Sequence, residues 1–234
     1  MQNYNFFWIF ARKNVILQAK CQKKMGIELL DYIESHISAE PEALRRITHD
    51  THVNVLNPHM LSGHLQGRFL AMMSRMIGPK RILELGTFTG YSALCMAEGL
   101  AEDGVLVTIE HNDELEETIR ANLSLSPLGR KVELRIGDAK QVVPTLEGAF
   151  DMVFIDADKR EYCEYLDLVF DKVRAGGWII ADNTLWDGHV ADAKYDRDKQ
   201  TLGLRAFNDK VHDDNRLENV ILPIRDGLSI IRKK

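Results

Sequence analysis

The sequence predicts an α/β protein built on a mostly parallel sheet of seven strands. Between residues 81 and 181, five short apolar segments alternate with four segments of helical periodicity. This alternation is typical of right-handed crossovers that join parallel strands and cover both faces of a sheet. Residues 220–231 read instead as a strand, a tight turn at 225–227 and a second strand. The sheet is therefore expected to finish in an antiparallel hairpin.

The composition sets limits on the class of protein. A chain of 234 residues with 45% hydrophobic and 28% charged positions can bury a core as one α/β domain. The net charge of -5 gives no general attraction to nucleic acid or to an anionic membrane. No apolar segment reaches the roughly 18 residues of a membrane helix. The separate cysteines Cys21, Cys95 and Cys163 favour a reducing, cytoplasmic setting, with the last two packed in the core.

The first 24 residues differ from the rest of the chain. They carry an aromatic cluster followed by a basic stretch, which is the reverse of the order in a signal peptide. We therefore expect no secretion and assign residues 1–24 to an N-terminal extension and residues 25–234 to a single domain. Two interpretations stay open: a peripheral helix or tail, or an upstream extension of a chain that starts at Met25.

Three helices are expected before the first strand. Apolar residues recur at helical spacing over 27–37, and Pro41 suits the first turn of a second helix that continues past Ile47. Leu65, Phe69, Met72 and Met76 predict a third helix, which Gly78-Pro79 ends. We expect the two methionines to fill the core.

The remaining elements follow in order. The predicted strands are 81–85, 105–110, 132–136, 150–155 and 178–181, then 220–224 and 228–231 in the hairpin. The predicted helices are 90–100, 113–125 (with Asp113 and Glu116 spaced as at a helix start), 139–146 and 162–173 (stopped by Gly176-Gly177). The polar residues 187–200 predict a long surface loop, and loops of this length are often functional.

The acids that follow the first three strands suit one kind of ligand. Ligands of such sheets bind beyond the carboxyl ends of the strands. Glu84 precedes a Gly86-to-Gly90 loop whose GxxxG spacing is not that of a dinucleotide fingerprint. Glu110 could accept from ribose hydroxyls and Asp138 from an adenine amine. A nucleoside with a cationic amino-acid tail, such as S-adenosylmethionine, fits all three, and the alternative is a tight turn with solvated acids.

The next two strands predict a cation site. Asp156, Asp182 and Asn183 follow neighbouring strands and supply oxygen ligands with no cysteine or histidine close in sequence. Oxygen ligands favour a hard cation, magnesium first, with manganese or calcium as alternatives. The competing interpretation is that these side chains cap backbone amides at the strand ends.

Four motifs carry a specific resemblance: ELGTFTGYSAL, VFIDADKREYCEY, GGWIIADNTLWDGHV and LPIRDGLSIIRK. In this order they resemble the cation-dependent class I O-methyltransferases, the family of catechol and caffeoyl-coenzyme A O-methyltransferases and many bacterial small-molecule enzymes. The similarity runs from about Ile27 to the C-terminus. It implies a Rossmann-like methyltransferase fold, S-adenosylmethionine as cofactor, a divalent cation and a homodimer.

The resemblance also implies residue roles. The cofactor would contact Met60, Glu84, Gly86, Thr87, Ser92, Glu110, Asp138, Ala139 and Asp156. The metal would be held by Asp156, Asp182 and Asn183, and Lys159 matches the candidate general base. Asp226 matches a position that faces the substrate, and Trp186 could wall the acceptor site. Tyr162 and Tyr165 could do the same, but their helical spacing favours core packing.

The expected reaction is metal-dependent methylation of a hydroxyl on a small catechol-like or vicinal-diol acceptor. The alternative is O-methylation of 5-hydroxyuridine in tRNA, with a basic patch formed by Arg45, Arg46, Arg68, Arg75 and the N-terminal basic stretch. His59, His64 and the 187–200 loop lie where family members vary, so the acceptor stays open. A noncatalytic nucleoside-binding protein is disfavoured because no predicted metal ligand or base is missing, and a nicotinamide dehydrogenase because GxGxxG is absent.

Overall fold

The computed structural model describes residues 27–234, which belong to two compact units. The first unit ends at Ala39 and contributes helix α1, Ile27–His36. The second runs from Glu40 to Lys234 and contains the sheet. The predicted extension at residues 1–24 lies outside the described residues, so its boundary stays a prediction. Among the described residues, no helix is long and apolar enough to cross a membrane.

The sheet of the second unit has seven strands in the order β3-β2-β1-β4-β5-β7-β6. Their bounds are β1 Arg81–Leu85, β2 Val105–Glu110, β3 Val132–Ile136, β4 Phe150–Ile155, β5 Val173–Ala181, β6 Leu217–Leu222 and β7 Leu228–Lys233. The first five are parallel, and β7 pairs antiparallel with both β5 and β6. The predicted architecture, including the terminal hairpin, is confirmed.

Helices cover both faces of this sheet. They are α2 Glu42–Asn54, α3 Gly63–Ile77, α4 Tyr91–Ala97, α5 Glu116–Ser124, α6 Ala139–Val142, α7 Tyr162–Phe170 and α8 Lys199–Asp213. Successive strand residues face opposite sides, so Leu83 packs with the α7–α8 layer and Ile82 with the α3–α4 layer. Cys95 is buried on the latter side, as predicted.

Helix α3 buries a different face from the one predicted. Met72 and Met76 are 60% and 77% exposed, so the expectation that they fill the core is wrong. The helix instead turns Gly67, Leu70 and Ala71 inward. A Cβ at Gly67 would lie 2.7 Å from the Tyr91 ring, which shows how closely α3 approaches α4. Close packing through small residues, rather than the methionine stripe, therefore decides the orientation of this helix.

Three local predictions also need correction. Helix α7 ends at Phe170, and Val173 already pairs with Phe150, so the glycines expected to stop the helix lie inside β5. The register shifts there, and a Cβ at Gly177 would lie 2.7 Å from Val173 Cγ1 and 2.9 Å from the Arg174 carbonyl oxygen, so a larger residue would collide with the strand's own bend. The cap before α5 is Asn112, whose side chain accepts from the Glu114 N–H.

The predicted loop at 187–200 is also more structured than expected. It contains short 3₁₀ turns within Trp186–Ala191, interrupted by a kink at Asp187 and Gly188, and a further one at Ala193–Tyr195. It then leads into α8, which the sequence analysis did not predict. Asp198 caps α8 by accepting from the Thr201 N–H.

Candidate active site

The register of the sheet aligns the polar residues that follow the strands. The Gly86 N–H donates to the Ile109 carbonyl, the Asp156 N–H to Leu85 and the Asp182 N–H to Ile155, over 2.9 to 3.0 Å. In each case the N–H of the first residue after a strand donates to a carbonyl at the end of the neighbouring strand. Asp156 and Asp182 consequently emerge side by side at the carboxyl edge of the sheet, as the sequence predicted.

Glu84 lies beneath the β1–α4 loop and is fully buried. Its carboxylate accepts from the Ser92 hydroxyl at 2.5 Å and from the Thr108 hydroxyl at 2.6 Å. Burial raises the pKa of Glu84 to about 8, because the two hydrogen bonds offset only part of the desolvation cost. In this structure Glu84 and Ser92 hold the loop from within, and their role toward a cofactor stays a prediction.

Glu110 organises the same loop from the end of β2. Its carboxylate accepts from the backbone N–H groups of Thr87 (3.2 Å), Phe88 (2.8 Å) and Asn112 (2.9 Å). The Thr87 hydroxyl turns inward to Thr108. Phe88 has a φ of 51°, a left-handed conformation that costs a non-glycine residue energy and is held here by the carboxylate.

Gly86 is required by packing between two strand ends. Its φ is 95°, and a Cβ there would lie 2.1 Å from the Asp156 carbonyl oxygen. The first glycine of the GxxxG loop therefore lets the β1 loop lie directly against the start of the Asp156 loop. This close approach links the two predicted binding regions, those of the cofactor and the cation.

Asp138 and Ala139 lie two strands away from β1, after β3. Asp138 caps α6 by accepting from the Lys140 N–H at 2.8 Å, and Ala139 is buried. This capping contact is neither the predicted adenine contact nor the solvated acid of the alternative interpretation, and the role of Asp138 toward a cofactor stays a prediction.

Lys159 and Asp156 form a half-buried ion pair. The Lys159 ammonium donates to Asp156 Oδ1 over 2.7 Å, and both side chains are largely withdrawn from solvent. The Lys159–Glu161 3₁₀ turn begins at Asp158, whose side chain accepts from the Arg160 N–H at 3.0 Å. This turn brings the ammonium group of Lys159, the predicted base, back to the carboxylate of Asp156, the predicted metal ligand three residues earlier.

Asp182 is 3% exposed and is held at both carboxylate oxygens. The Asn183 N–H donates to Oδ1 and Gln66 Nε2 to Oδ2, each over 2.7 Å. Burial and the neighbouring charge of Asp156 raise the pKa of Asp182 to about 7. Asn183 has a φ of 57°, which asparagine tolerates better than most residues, and its Nδ2 lies 3.4 Å from Asp226 Oδ2.

The predicted acceptor walls divide into two groups. Tyr162 and Tyr165 are buried in the core, as their spacing favoured, and the Tyr162 hydroxyl donates to the Asp182 carbonyl at 3.0 Å. Trp186 is only partly buried and follows Asn183 in the same loop. Met60 lies in the Pro58–Met60 3₁₀ turn and is 53% exposed.

Two residues of this site escaped the sequence analysis, namely Gln66 and Arg225. The Arg225 guanidinium, in the β6–β7 turn, donates to Gln66 Oε1 at 3.4 Å and to the Leu61 carbonyl at 2.9 Å. The available signal was the position of Gln66, one and two helical turns before the buried Leu70 and Ser74. A polar residue on a buried helix face requires a partner.

The donor set fits a hard cation in its chemistry. In residues 27–234, no group of three or more His, Cys, Asp or Glu side chains is arranged to hold a metal ion. The predicted set contributes two carboxylates and the Asn183 amide. Burial and the charge of Asp156 raise the pKa of Asp182 even though Lys159 partly offsets them, and a divalent cation held by these residues would add positive charge that favours both ionised carboxylates.

Comparison with known proteins defines the class. Residues 34–234 match the family model described as O-methyltransferase. Caffeoyl-CoA O-methyltransferase 2 of Zea mays is 35% identical over 206 residues, covering 83% of this chain and 77% of that protein.

Solved structures agree. The O-methyltransferase TomG of Streptomyces achromogenes, in complex with S-adenosylmethionine, is 30% identical with a TM-score of 0.81, covering 87% of this chain and 94% of that one. The O-methyltransferase of Bacillus cereus, in complex with S-adenosylhomocysteine, is 28% identical with a TM-score of 0.81, covering 87% and 96%. The chain belongs to the O-methyltransferase family. It is an S-adenosylmethionine-dependent O-methyltransferase.

Proposed function

We propose that this enzyme transfers a methyl group to a hydroxyl of a small catechol-like or vicinal-diol acceptor with the help of a divalent cation. The observation that carries the proposal is the convergence of Lys159, Asp156 and Asp182 at adjoining strand ends, with Asn183 and Asp226 joined beside them. One basic side chain and two carboxylates at one edge suit deprotonation of a hydroxyl next to a bound cation.

Asp156, Asp182 and Asn183 would hold the cation through oxygen atoms. A divalent cation there, magnesium first, would supply Lewis-acid activation that eases loss of an acceptor proton. Asp182 is already fixed at both oxygens, so little reorganisation is needed on binding. The Asn183 side-chain amide donates through Nδ2 to Asp226 Oδ2, and this contact would leave the amide oxygen free to face the cation.

The acidic groups at this edge also suit the methyl donor. Asp156 and Glu110 both raise the pKa of Glu84, so the three groups influence one another, and the positive charge of a bound donor would favour the ionised form of Glu84. S-adenosylmethionine carries a sulfonium and an ammonium group, so acidic groups at the strand ends would increase its binding affinity. We assign its binding to the residues named for the cofactor in the sequence analysis.

Lys159 is placed to receive the acceptor proton. The Lys159 ammonium would first release one proton to solvent, and the free amine would then take the proton of the acceptor hydroxyl while Asp156 Oδ1 keeps the nitrogen in position. The acceptor oxygen then bonds to the methyl carbon as the carbon–sulfur bond breaks, leaving S-adenosylhomocysteine. Holding both reactants in one site supplies much of the acceleration.

The test is methyl transfer from S-adenosylmethionine to a catechol panel, with magnesium and with chelator. We expect turnover with magnesium, its loss in chelator, and its loss in Lys159→Ala. Lys210→Ala is a matched control, because Lys210 also forms an ion pair, 2.6 Å from Asp167, away from the site. Turnover that survives the chelator contradicts the role given to the cation.

The tRNA alternative gains no support from the arginines predicted to form its patch. Arg68 is buried and pairs with Glu98, as does Arg75, while Arg45 pairs with Glu42 and Arg46 with Asp50. Three carboxylates thus pair with the four guanidinium groups, Arg68 and Arg75 sharing Glu98, which leaves little uncompensated positive charge on these residues. The N-terminal basic stretch lies outside the described residues. A salt-dependent mobility shift with undermodified tRNA would reverse this preference.

The homodimer and the cytoplasmic location remain proposals. The dimer is supported by exposed apolar side chains on α1, where Leu29, Leu30 and Tyr32 are all at least partly open to solvent. Light scattering should give twice the chain mass of 26.7 kDa. A monomer mass contradicts the dimer.

A further inference from the structure

We propose that Gln66 is a positioning residue for the cation site, and that Arg225 fixes Gln66 in its working orientation. The inference rests on the proposed cation-dependent function and assigns parts to two residues outside the donor set. Its basis is a continuous hydrogen-bonded connection from the β6–β7 turn through α3 to Asp182.

Gln66 completes the restraint of the Asp182 carboxylate. Its side chain is fully buried, and Nε2 donates to Oδ2 over 2.7 Å while the Asn183 N–H donates to Oδ1 over the same distance. With one donor on each oxygen, rotation of the carboxylate would break a bond in a buried setting. Each oxygen keeps lone-pair capacity for a cation.

The orientation of the Gln66 amide follows from the chemistry of its two partners. The carboxylate of Asp182 accepts, so it must face the amide nitrogen, and the guanidinium of Arg225 only donates, so it must face the amide oxygen. The observed contacts, 2.7 Å on one side and 3.4 Å on the other, have this polarity. The second contact is long, so its contribution is the smaller one.

Arg225 also fixes the chain segment that leads into α3. Its guanidinium donates to the carbonyls of Leu61 at 2.9 Å, of His59 at 3.3 Å and of Ser62. The next residue, Asp226, contacts the Asn183 amide. One hairpin turn therefore reaches both Asp182 and Asn183, the first through Gln66 and the second directly.

Side chains that orient metal ligands change metal affinity when they are lost, commonly by about 10- to 100-fold. A residue that only fills the core would change stability without a selective effect on the metal. Metal affinity measured without substrate therefore separates the two roles.

The experiment measures Mn²⁺ binding to the metal-free full chain by electron paramagnetic resonance of the free ion, with S-adenosylmethionine binding by calorimetry alongside. Gln66→Met keeps length and volume but removes both hydrogen bonds. Ser74→Ala is the matched control, since Ser74 is buried on the same helix and donates instead to the Met96 carbonyl at 2.6 Å. We expect Mn²⁺ affinity to fall about 10-fold or more in Gln66→Met, with donor binding retained, and to be unchanged in Ser74→Ala.

Arg225→Met, in an exposed turn, provides a second variant should Gln66→Met not fold. We expect it to weaken Mn²⁺ binding several-fold by releasing Gln66. If Gln66→Met folds and binds Mn²⁺ as tightly as wild type, the inference is wrong but the proposed cation function stands. If Gln66→Met does not fold, an Arg225→Met variant with the Mn²⁺ affinity of wild type overturns the inference instead. Wild type that binds no Mn²⁺ overturns the proposed cation function and this inference together.

Discussion

Gly203 on α8 lies directly against Lys159: a Cβ on Gly203 would be 2.5 Å from the Lys159 carbonyl oxygen and 2.9 Å from Arg160 Cα. Both neighbours are backbone atoms, so no side-chain rotation can relieve the collision. The absence of a side chain at position 203 thus sets the position of the turn that carries the proposed base. Helix α8, which the sequence analysis did not predict, thus supports the turn of Lys159, the residue that the family resemblance indicates as the general base.

Gly203→Ala should therefore displace the Lys159 turn and lower the rate of methyl transfer. A shift approaching 1 Å at a reacting group can cost about 100-fold in rate, so we expect a fall of about 10- to 100-fold in kcat. Binding of S-adenosylmethionine should change less than kcat, because most of the residues assigned to the cofactor follow β1 to β3 and only Asp156 among them pairs with Lys159. Leu202→Ala, at an exposed position on the same helix, is the control. Full activity in Gly203→Ala would show that the turn can move without cost.

The buried carboxylate of Glu84 predicts a pH dependence of stability. Its folded pKa of about 8 lies above the ordinary value of 4.5, so between these pH values the folded state keeps a proton that the unfolded state has lost. This contribution to stability is complete below pH 4.5 and is lost as pH rises to about 8. The slope approaches about 1.4 kcal/mol per pH unit.

Glu84→Gln should remove that slope. Urea unfolding with chelator at pH 5 to 8.5 should show wild type losing stability as pH rises and the variant losing less. The range above pH 7 discriminates best, because the similar contribution of Asp182 to stability is largely lost once the pH exceeds its folded pKa of about 7. Exposed Glu117→Gln serves as control. Equal slopes above pH 7 in wild type and Glu84→Gln would contradict the assignment.

The strands and the acids that follow them could be predicted from sequence because both are local signals. Asp156 and Lys159 lie three positions apart in one turn, so their proximity is readable as well. The contact between Gln66 and Asp182 spans 116 positions and depends on how α3 packs across the sheet edge. Periodicity also predicted Met76 as a core residue. In the structure Gly67 packs closely against α4, so the opposite face of α3, which carries Met76, is exposed to solvent.

The buried charge of Asp182 predicts a metal response that depends on this carboxylate. Asp182→Asn removes a desolvated carboxylate that faces Asp156, but its amide NH₂ leaves either the Gln66 amide or the Asn183 N–H without an acceptor. Because these two effects oppose each other, the chelator-treated variant should stay folded at pH 8, with a stability near that of wild type. Magnesium should raise the Tm of wild type, by a stabilisation of about 2.7 kcal/mol at 100 times its Kd. The variant should respond little. Calorimetry with and without magnesium checks this, with exposed Asp167→Asn as control. An equal rise in the Tm of Asp182→Asn would exclude Asp182 as a ligand.

Two arginines share Glu98 and should differ sharply in their contribution to stability. Arg68 and Glu98 are each 10% exposed at the side chain, and two guanidinium nitrogens meet the two carboxylate oxygens. Arg75 contacts the same carboxylate at 2.7 Å but is 57% exposed. Removing a buried partner leaves a desolvated charge, whereas removing an exposed one costs little.

Arg68→Met should therefore lower the free energy of unfolding by about 3 kcal/mol, and Arg75→Met by less than about 1 kcal/mol. The double variant Arg68→Met/Glu98→Leu should recover much of the loss, because it also removes a buried carboxylate whose remaining partner in the described chain, Arg75, is largely exposed. Urea unfolding of the four proteins, wild type included, measures these differences. Methyl transfer by folded Arg68→Met should stay close to wild type, because Arg68 serves the packing of α3 on α4 and makes no contact in the described chain with Asp156, Lys159 or Asp182. Similar losses in the two single variants would show that Glu98 reaches solvent when either partner is removed.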